Sequence, residues 1–149
     1  MNYEHALTQI QQMISNTDPK NLLQTIVDTL YHTFPTYNWV GIYLLKDNNL
    51  ILEAWQGKQP TEHTTIPLGV GICGSAAQTG KTEVIDHVSQ DHRYLACFTS
   101  TQSELVVPIK KTGTIIGEID IDSDTPAAFK PKDVAFVEKI ADMLAQHIR

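Results

Sequence analysis

The apolar positions of this chain change period twice. Over residues 3–14, and again from Leu22 through Leu23, Ile26, Val27 and Leu30, they recur at three- and four-residue spacing, which predicts two amphipathic helices near the N-terminal end. Thr17-Asp18-Pro19 precedes the second, an N-cap followed by a proline in the first helical turn. From residue 39 to residue 122 the runs shorten and become β-rich, and 39–46, 50–56, 82–85, 104–110 and 114–122 read as strands. Asp47-Asn48-Asn49 and Lys111-Thr112-Gly113 are short polar connections suited to hairpins. After Pro131 the helical period returns, with Val134, Val137, Ile140, Ala141, Leu144 and Ile148 on one stripe. Hairpin-linked strands between helical ends predict an α+β fold, an antiparallel sheet with the N- and C-terminal helices on one face.

Alternation along the strands says what the other face carries. In 114–122, Ile115, Ile119 and Ile121 share one side, and Glu118, Asp120 and Asp122 share the opposite one. Leu105, Val107 and Ile109 lie together in the strand before, leaving Glu104 with Val106 on the other side. Trp39, Gly41, Tyr43 and Leu45 oppose Val40, Ile42 and Leu44. With the uniformly aliphatic sets packed on the helices, Trp39, Tyr43, Glu104, Asp120 and Asp122 converge on one aromatic and acidic concavity on the second face, with Glu118 nearer its rim. The plainer reading of the same residues is ordinary aromatic packing beside an acidic strip facing solvent.

Length and charge narrow the function classes. The 149 residues suit one domain, 1–149, and no repeat or linker divides them. The chain opens without a basic segment followed by an apolar one, and no run approaches a membrane span, which gives a cytoplasmic reading. A formal net charge of −6 disfavours nucleic acid and anionic membrane as partners.

Two cysteines then draw attention: Cys73 in Gly71-Ile72-Cys73-Gly74, and Cys97 in Leu95-Ala96-Cys97. For a reduced compartment a structural disulfide is a poor explanation, which leaves thiol reactivity or simple burial, Cys73 as a small residue at a tight Gly-flanked turn. Gly69-Val70-Gly71-Ile72-Cys73-Gly74 satisfies G-x-G-x-x-G. However, Pro67 interrupts the approach and the surrounding pattern is antiparallel, so a pocket-lining loop is preferred to a dinucleotide fingerprint. His87 and His92, beside Asp86 and Asp91, lack a metal-ligand pattern and read as polar surface residues; no metal is expected. His63 reads as a loop histidine or as a residue that tunes a nearby thiol.

The segments Asn38-Trp39-Val40-Gly41-Ile42-Tyr43, Ile66-Pro67-Leu68-Gly69-Val70-Gly71-Ile72-Cys73-Gly74, Leu95-Ala96-Cys97, Ser103-Glu104-Leu105-Val106-Val107-Pro108 and Gly117-Glu118-Ile119-Asp120-Ile121-Asp122-Ser123 resemble a GAF domain, and within it the stand-alone free methionine-R-sulfoxide reductases. The resemblance runs over nearly the whole chain. It implies Cys97 as the nucleophile that attacks the sulfoxide, and Trp39, Tyr43, Glu104, Asp120 and Asp122 as the substrate-holding set. Cys73 matches a further family cysteine, while His63 stands where the family's usual resolving cysteine would be; Phe98 and Arg93-Tyr94 are further departures. The reductase reading calls for no bound cofactor, a thioredoxin-like thiol donor and a free amino-acid substrate. The alternative is a non-catalytic GAF module that senses a small ligand and acts through a partner, as a homodimer. A cyclic-nucleotide module fits less well, because the Asn-Lys and downstream Asp-Glu signature is missing.

Overall fold

The computed structural model describes residues 2–95 and 98–148. Helices α1 (Tyr3–Asn16) and α2 (Pro19–Thr33) come first. The Asp18 carboxylate caps α2, accepting from the Lys20 N–H at 3.0 Å, and Pro19 occupies the first turn, where its missing N–H costs nothing. Strands β1 (Trp39–Lys46), β2 (Asn49–Gly57) and β3 (Thr65–Pro67) lead to helix α3 (Gly71–Thr79). Strand β4 (Glu83–Ile85), a 3₁₀ turn (Val88–Gln90), β5 (Ser103–Lys111), β6 (Thr114–Ser123) and helix α4 (Pro131–Ala145) complete the chain.

The strands form one antiparallel sheet in the order β3-β2-β1-β6-β5-β4. Its two tight hairpins place both linking residues at positive φ, Asp47 and Asn48 in one, Thr112 and Gly113 in the other, the twist that matches flanking antiparallel strands. Helices α1, α2 and α4 cover one face. There Ile10, Ile26, Leu30 and Ile140 pack on Val40, Ile42, Leu105, Val107, Ile109, Ile119 and Ile121. Under the start of α4 the Asp133 carboxylate accepts from the Tyr37 hydroxyl at 2.6 Å, the Tyr3 hydroxyl at 3.1 Å and the Lys130 N–H at 2.9 Å, so this buried acid is fully engaged.

Ile115 does not share a face with Ile119 and Ile121: the β5–β6 register shifts after Ile109, so Ile116 turns to the helical core and Ile115 joins the opposite cluster. Cys73 is on a helix rather than a turn or loop. Gly69 and Gly71, both at positive φ, make the bend, and α3 starts immediately and lies on the second face of the sheet. The helix has little amphipathic signature because glycine and alanine occupy its buried side.

Gly74 sets how closely α3 approaches β3. A Cβ there would stand 2.5 Å from the Pro67 carbonyl oxygen and 3.1 Å from the Gly69 nitrogen, both backbone atoms that cannot swing aside. Gly74→Ala is therefore expected to destabilise the protein by about 1–3 kcal/mol, read by denaturant unfolding. An unchanged midpoint would show that α3 is loosely seated.

Candidate functional site

The register brings the predicted residues into rows across three central strands. Trp39 pairs with Asp122, which pairs with Glu104; Gly41 pairs with Asp120, which pairs with Val106; Tyr43 pairs with Glu118. Directly opposed residues of one face stand about 5 Å apart, so four carboxyl groups occupy a compact patch. Helix α3 closes over it: Trp39, Tyr43, Cys73, Ile72, Phe98 and Val106 form one buried cluster.

The Trp39 indole lies along the sheet because two glycines make room for it. Side chains at Gly41 or Gly57 would run into its ring, the latter 2.5 Å from Cδ1. Trp55 stacks beside it with centroids 6.4 Å apart, and Phe98 tilts against it at 6.0 Å. Its Nε1 donor is buried without a hydrogen-bond partner. Tyr43 donates its hydroxyl to the His63 carbonyl at 2.9 Å, which ties the loop before β3 to the site.

Asp120 and Asp122 do not face solvent. Glu104, Asp120 and Asp122 are each about 5% exposed, and Glu118, expected near the rim, is completely buried. Strand parity placed Glu118 on the correct face, and the helix above it closes that end. Both Glu118 oxygens, one oxygen of Asp120 and one of Asp122 lack hydrogen-bond partners. Burial raises the pKa of all four acids, Glu104, Glu118 and Asp122 well above the ordinary range. For Glu104 the neighbouring Asp120 and Asp122 charges add to burial in raising its pKa, so the three carboxyls titrate as one linked group.

Cys73 carries a free, buried thiol, and its sulfur lies 3.9 Å from Glu104 Oε2. Burial, then the charges of Asp120, Glu118 and Glu104, push its pKa well up, so Cys73 rests as the thiol rather than the thiolate. Cys97 lies outside the described residues. The approach to that segment is pinned by Arg93, whose guanidinium bridges Glu83 and Asp91 at 2.8 Å each; its hydrogen bonds push Asp91 down to about 2. His87 and His92 are exposed, as expected of surface residues.

Among the described residues the expected concavity is divided between two small cavities. One of about 50 Å³ lies between Trp39, Lys58, Phe98, Asp122 and Asp124; another of about 20 Å³ lies between Tyr43, His63, Cys73, Leu95, Glu104 and Asp120. Neither holds an amino acid without side-chain movement. Sequence reasoning missed the depth of Glu118 and the stacking of Phe98 on Trp39. The Glu118 parity was the available signal, whereas nothing local to Phe98 announced its partner.

Residues 18–148 match the GAF domain family. The chain belongs to the GAF domain family. This GAF chain is 35% identical over 130 residues to the free methionine-R-sulfoxide reductase of Escherichia coli, covering 80% of the chain and 78% of that protein. It superposes on the type II free methionine-R-sulfoxide reductase of Thermoplasma acidophilum with TM-score 0.80 and 40% identity, over 97% of this chain and 92% of that one. A Neisseria meningitidis free methionine-R-sulfoxide reductase, solved in complex with its substrate, superposes with TM-score 0.89 and 33% identity, over 97% and 86% of the two chains. Among the described residues no helix is long and apolar enough to cross a membrane.

Proposed function

We propose that this GAF protein reduces free methionine-R-sulfoxide with a thiol donor. The observation that carries the reading is the buried acid cluster itself. Asp120 and Asp122, each with one unpartnered carboxylate oxygen, and the orphaned Trp39 Nε1 present unmet acceptors and an unmet donor beside aromatic rings, with Glu104 next to them. A zwitterionic amino acid with a sulfoxide supplies the complement: an ammonium for the aspartates, an S–O acceptor for a donor and a methyl for the Trp39 and Tyr43 rings. The similarity to reductases over most of the chain points the same way.

In this mechanism the Cys97 thiolate attacks the sulfoxide sulfur as the sulfoxide oxygen takes a proton from Glu104, whose raised pKa keeps it protonated. The oxygen passes to the Cys97 sulfur, leaving methionine and a sulfenic acid. The Cys73 thiol then displaces water to form a Cys73–Cys97 disulfide, and an external dithiol such as a thioredoxin reduces it, becoming oxidised in turn. Cys73 fills the resolving role left by His63, which lines the same cavity. The protein works without a bound cofactor, as one GAF domain over 1–149, in the cytoplasm and as a homodimer.

A sensing module is the second reading, favoured by one observation: His63 stands where the reductases' usual resolving cysteine would be. Incubation of the protein with free methionine-R-sulfoxide or its S epimer and a thioredoxin system separates the two. Selective consumption of the R form is expected. Binding of the R form without turnover, with several thiol donors, overturns the reductase and leaves the sensor.

A further inference from the structure

We infer that the pocket end of the acid cluster is a binding site for a single thiophilic divalent cation, with Cys73, Glu104 and Asp120 as ligands. One donor atom from each of Cys73, Glu104 and Asp120 lies within 4.8 Å of the others, and all three residues are buried. A zinc ion held at about 2.3 Å from sulfur and about 2.0 Å from oxygen in tetrahedral geometry requires S···O edges of about 3.5 Å. Cys73 Sγ already stands 3.9 Å from Glu104 Oε2, so small side-chain rotations bring the donors to bonding distance. The independent sign of a ligand is Asp120, a buried carboxylate that lines the cavity and has one oxygen without a hydrogen-bond partner; the completely buried Glu118, two residues away on the same strand face, adds a further carboxyl nearby.

Charge and size select the occupant. The described residues lining this cavity include no lysine or arginine, so the carboxylates lack an internal counter-charge. The volume of about 20 Å³ admits a water-sized particle and excludes an amino acid. One thiolate with hard oxygen donors suits zinc or cobalt rather than magnesium or calcium, which take oxygen alone. The ion displaces the Cys73 proton on binding. It competes with any cationic ligand for Asp120 and withholds the Cys73 sulfur from disulfide formation, making the site a reversible lock on this pocket. The inference does not depend on reductase activity, because the ion is detected directly.

The test is titration of the reduced, chelator-treated protein with Co²⁺. One equivalent is expected to develop a sulfur-to-cobalt charge-transfer band that Zn²⁺ bleaches. Cys73→Ser removes the band, Cys97→Ser keeps it, and Asp120→Asn weakens binding at least about tenfold. Circular dichroism establishes that each variant is folded; if Cys73→Ser is not, Asp120→Asn decides. No band in the wild type, a band that survives Cys73→Ser, or an unchanged affinity in Asp120→Asn overturns the site.

Discussion

Glu118→Met is expected to stabilise the metal-free protein at neutral pH, by about 1–3 kcal/mol. At this chain length that corresponds to roughly 3–10 °C in thermal midpoint. Glu118 is fully buried, with neither oxygen hydrogen-bonded, beside Asp120 and Cys73. Its ionised form is therefore costly and its neutral form still unmet, while methionine has a similar unbranched shape and nothing to desolvate. The pH dependence has a definite sign. Glu104, Glu118, Asp120 and Asp122 have folded pKa values above their unfolded values, so the folded state holds the extra protons. Their contribution is fully present below the unfolded values near 4 and is lost as pH rises through each folded value. Asp91 acts oppositely: held at about 2 by Arg93, it contributes above its unfolded value and loses that contribution as pH falls through about 2. Wild-type melting in a chelating buffer is thus expected to peak in mild acid and decline toward neutrality, with a shallower decline in Glu118→Met. A variant less stable than wild type at neutral pH would mean that Glu118 has a partner in solution.

The same acids show how far the sequence was readable. Side-chain parity in β5 and β6 placed Glu104, Glu118, Asp120 and Asp122 on one face, because a strand has one period and two faces. Parity carries no information on depth. What buries Glu118 is α3, and its closely packed side is built from Gly74, Ala76 and Ala77, residues without the large apolar stripe that announces a helix. The terminal helices had that stripe and were legible, although α1 runs on to Asn16 rather than Ile14 and α4 ends at Ala145, short of the Ile148 that the stripe included. The strand Thr65–Pro67 was missed because three residues with a proline are too short for alternation to register. Ile115 went to the wrong side because one bulge residue reverses parity, and a bulge leaves no mark in an unbroken Ile115-Ile116 pair. Trp39 and Tyr43 were placed correctly, but the partition of their surroundings into two small cavities depends on how tightly Phe98 and Leu95 fold in.

Under the proposed reductase function, Cys97→Ser is expected to lower turnover of free methionine-R-sulfoxide by at least about a thousandfold, because a serine hydroxyl at neutral pH supplies almost no nucleophile. The local chemistry of the other thiol argues that Cys73 does not stand in for it: burial and three neighbouring acids hold Cys73 protonated. Asp120→Asn and Glu104→Gln keep shape while changing charge and proton content. Asp120→Asn is expected chiefly to raise KM, by about 10–100-fold, the worth of one hydrogen bond to a charged group. Glu104→Gln is expected to weaken capture and also to lower kcat, since the amide has no acidic proton to give the departing oxygen. Cys73→Ser separates resolution from attack. A single turnover, measured as one equivalent of methionine per protomer without added reductant, is expected to survive, while steady-state turnover with a thioredoxin falls. Full steady-state activity in Cys73→Ser would mean that the reductant attacks the Cys97 sulfenic acid directly. Retained turnover in Cys97→Ser would remove Cys97 from the attacking role altogether, since no rearrangement of the acids can make serine the better nucleophile.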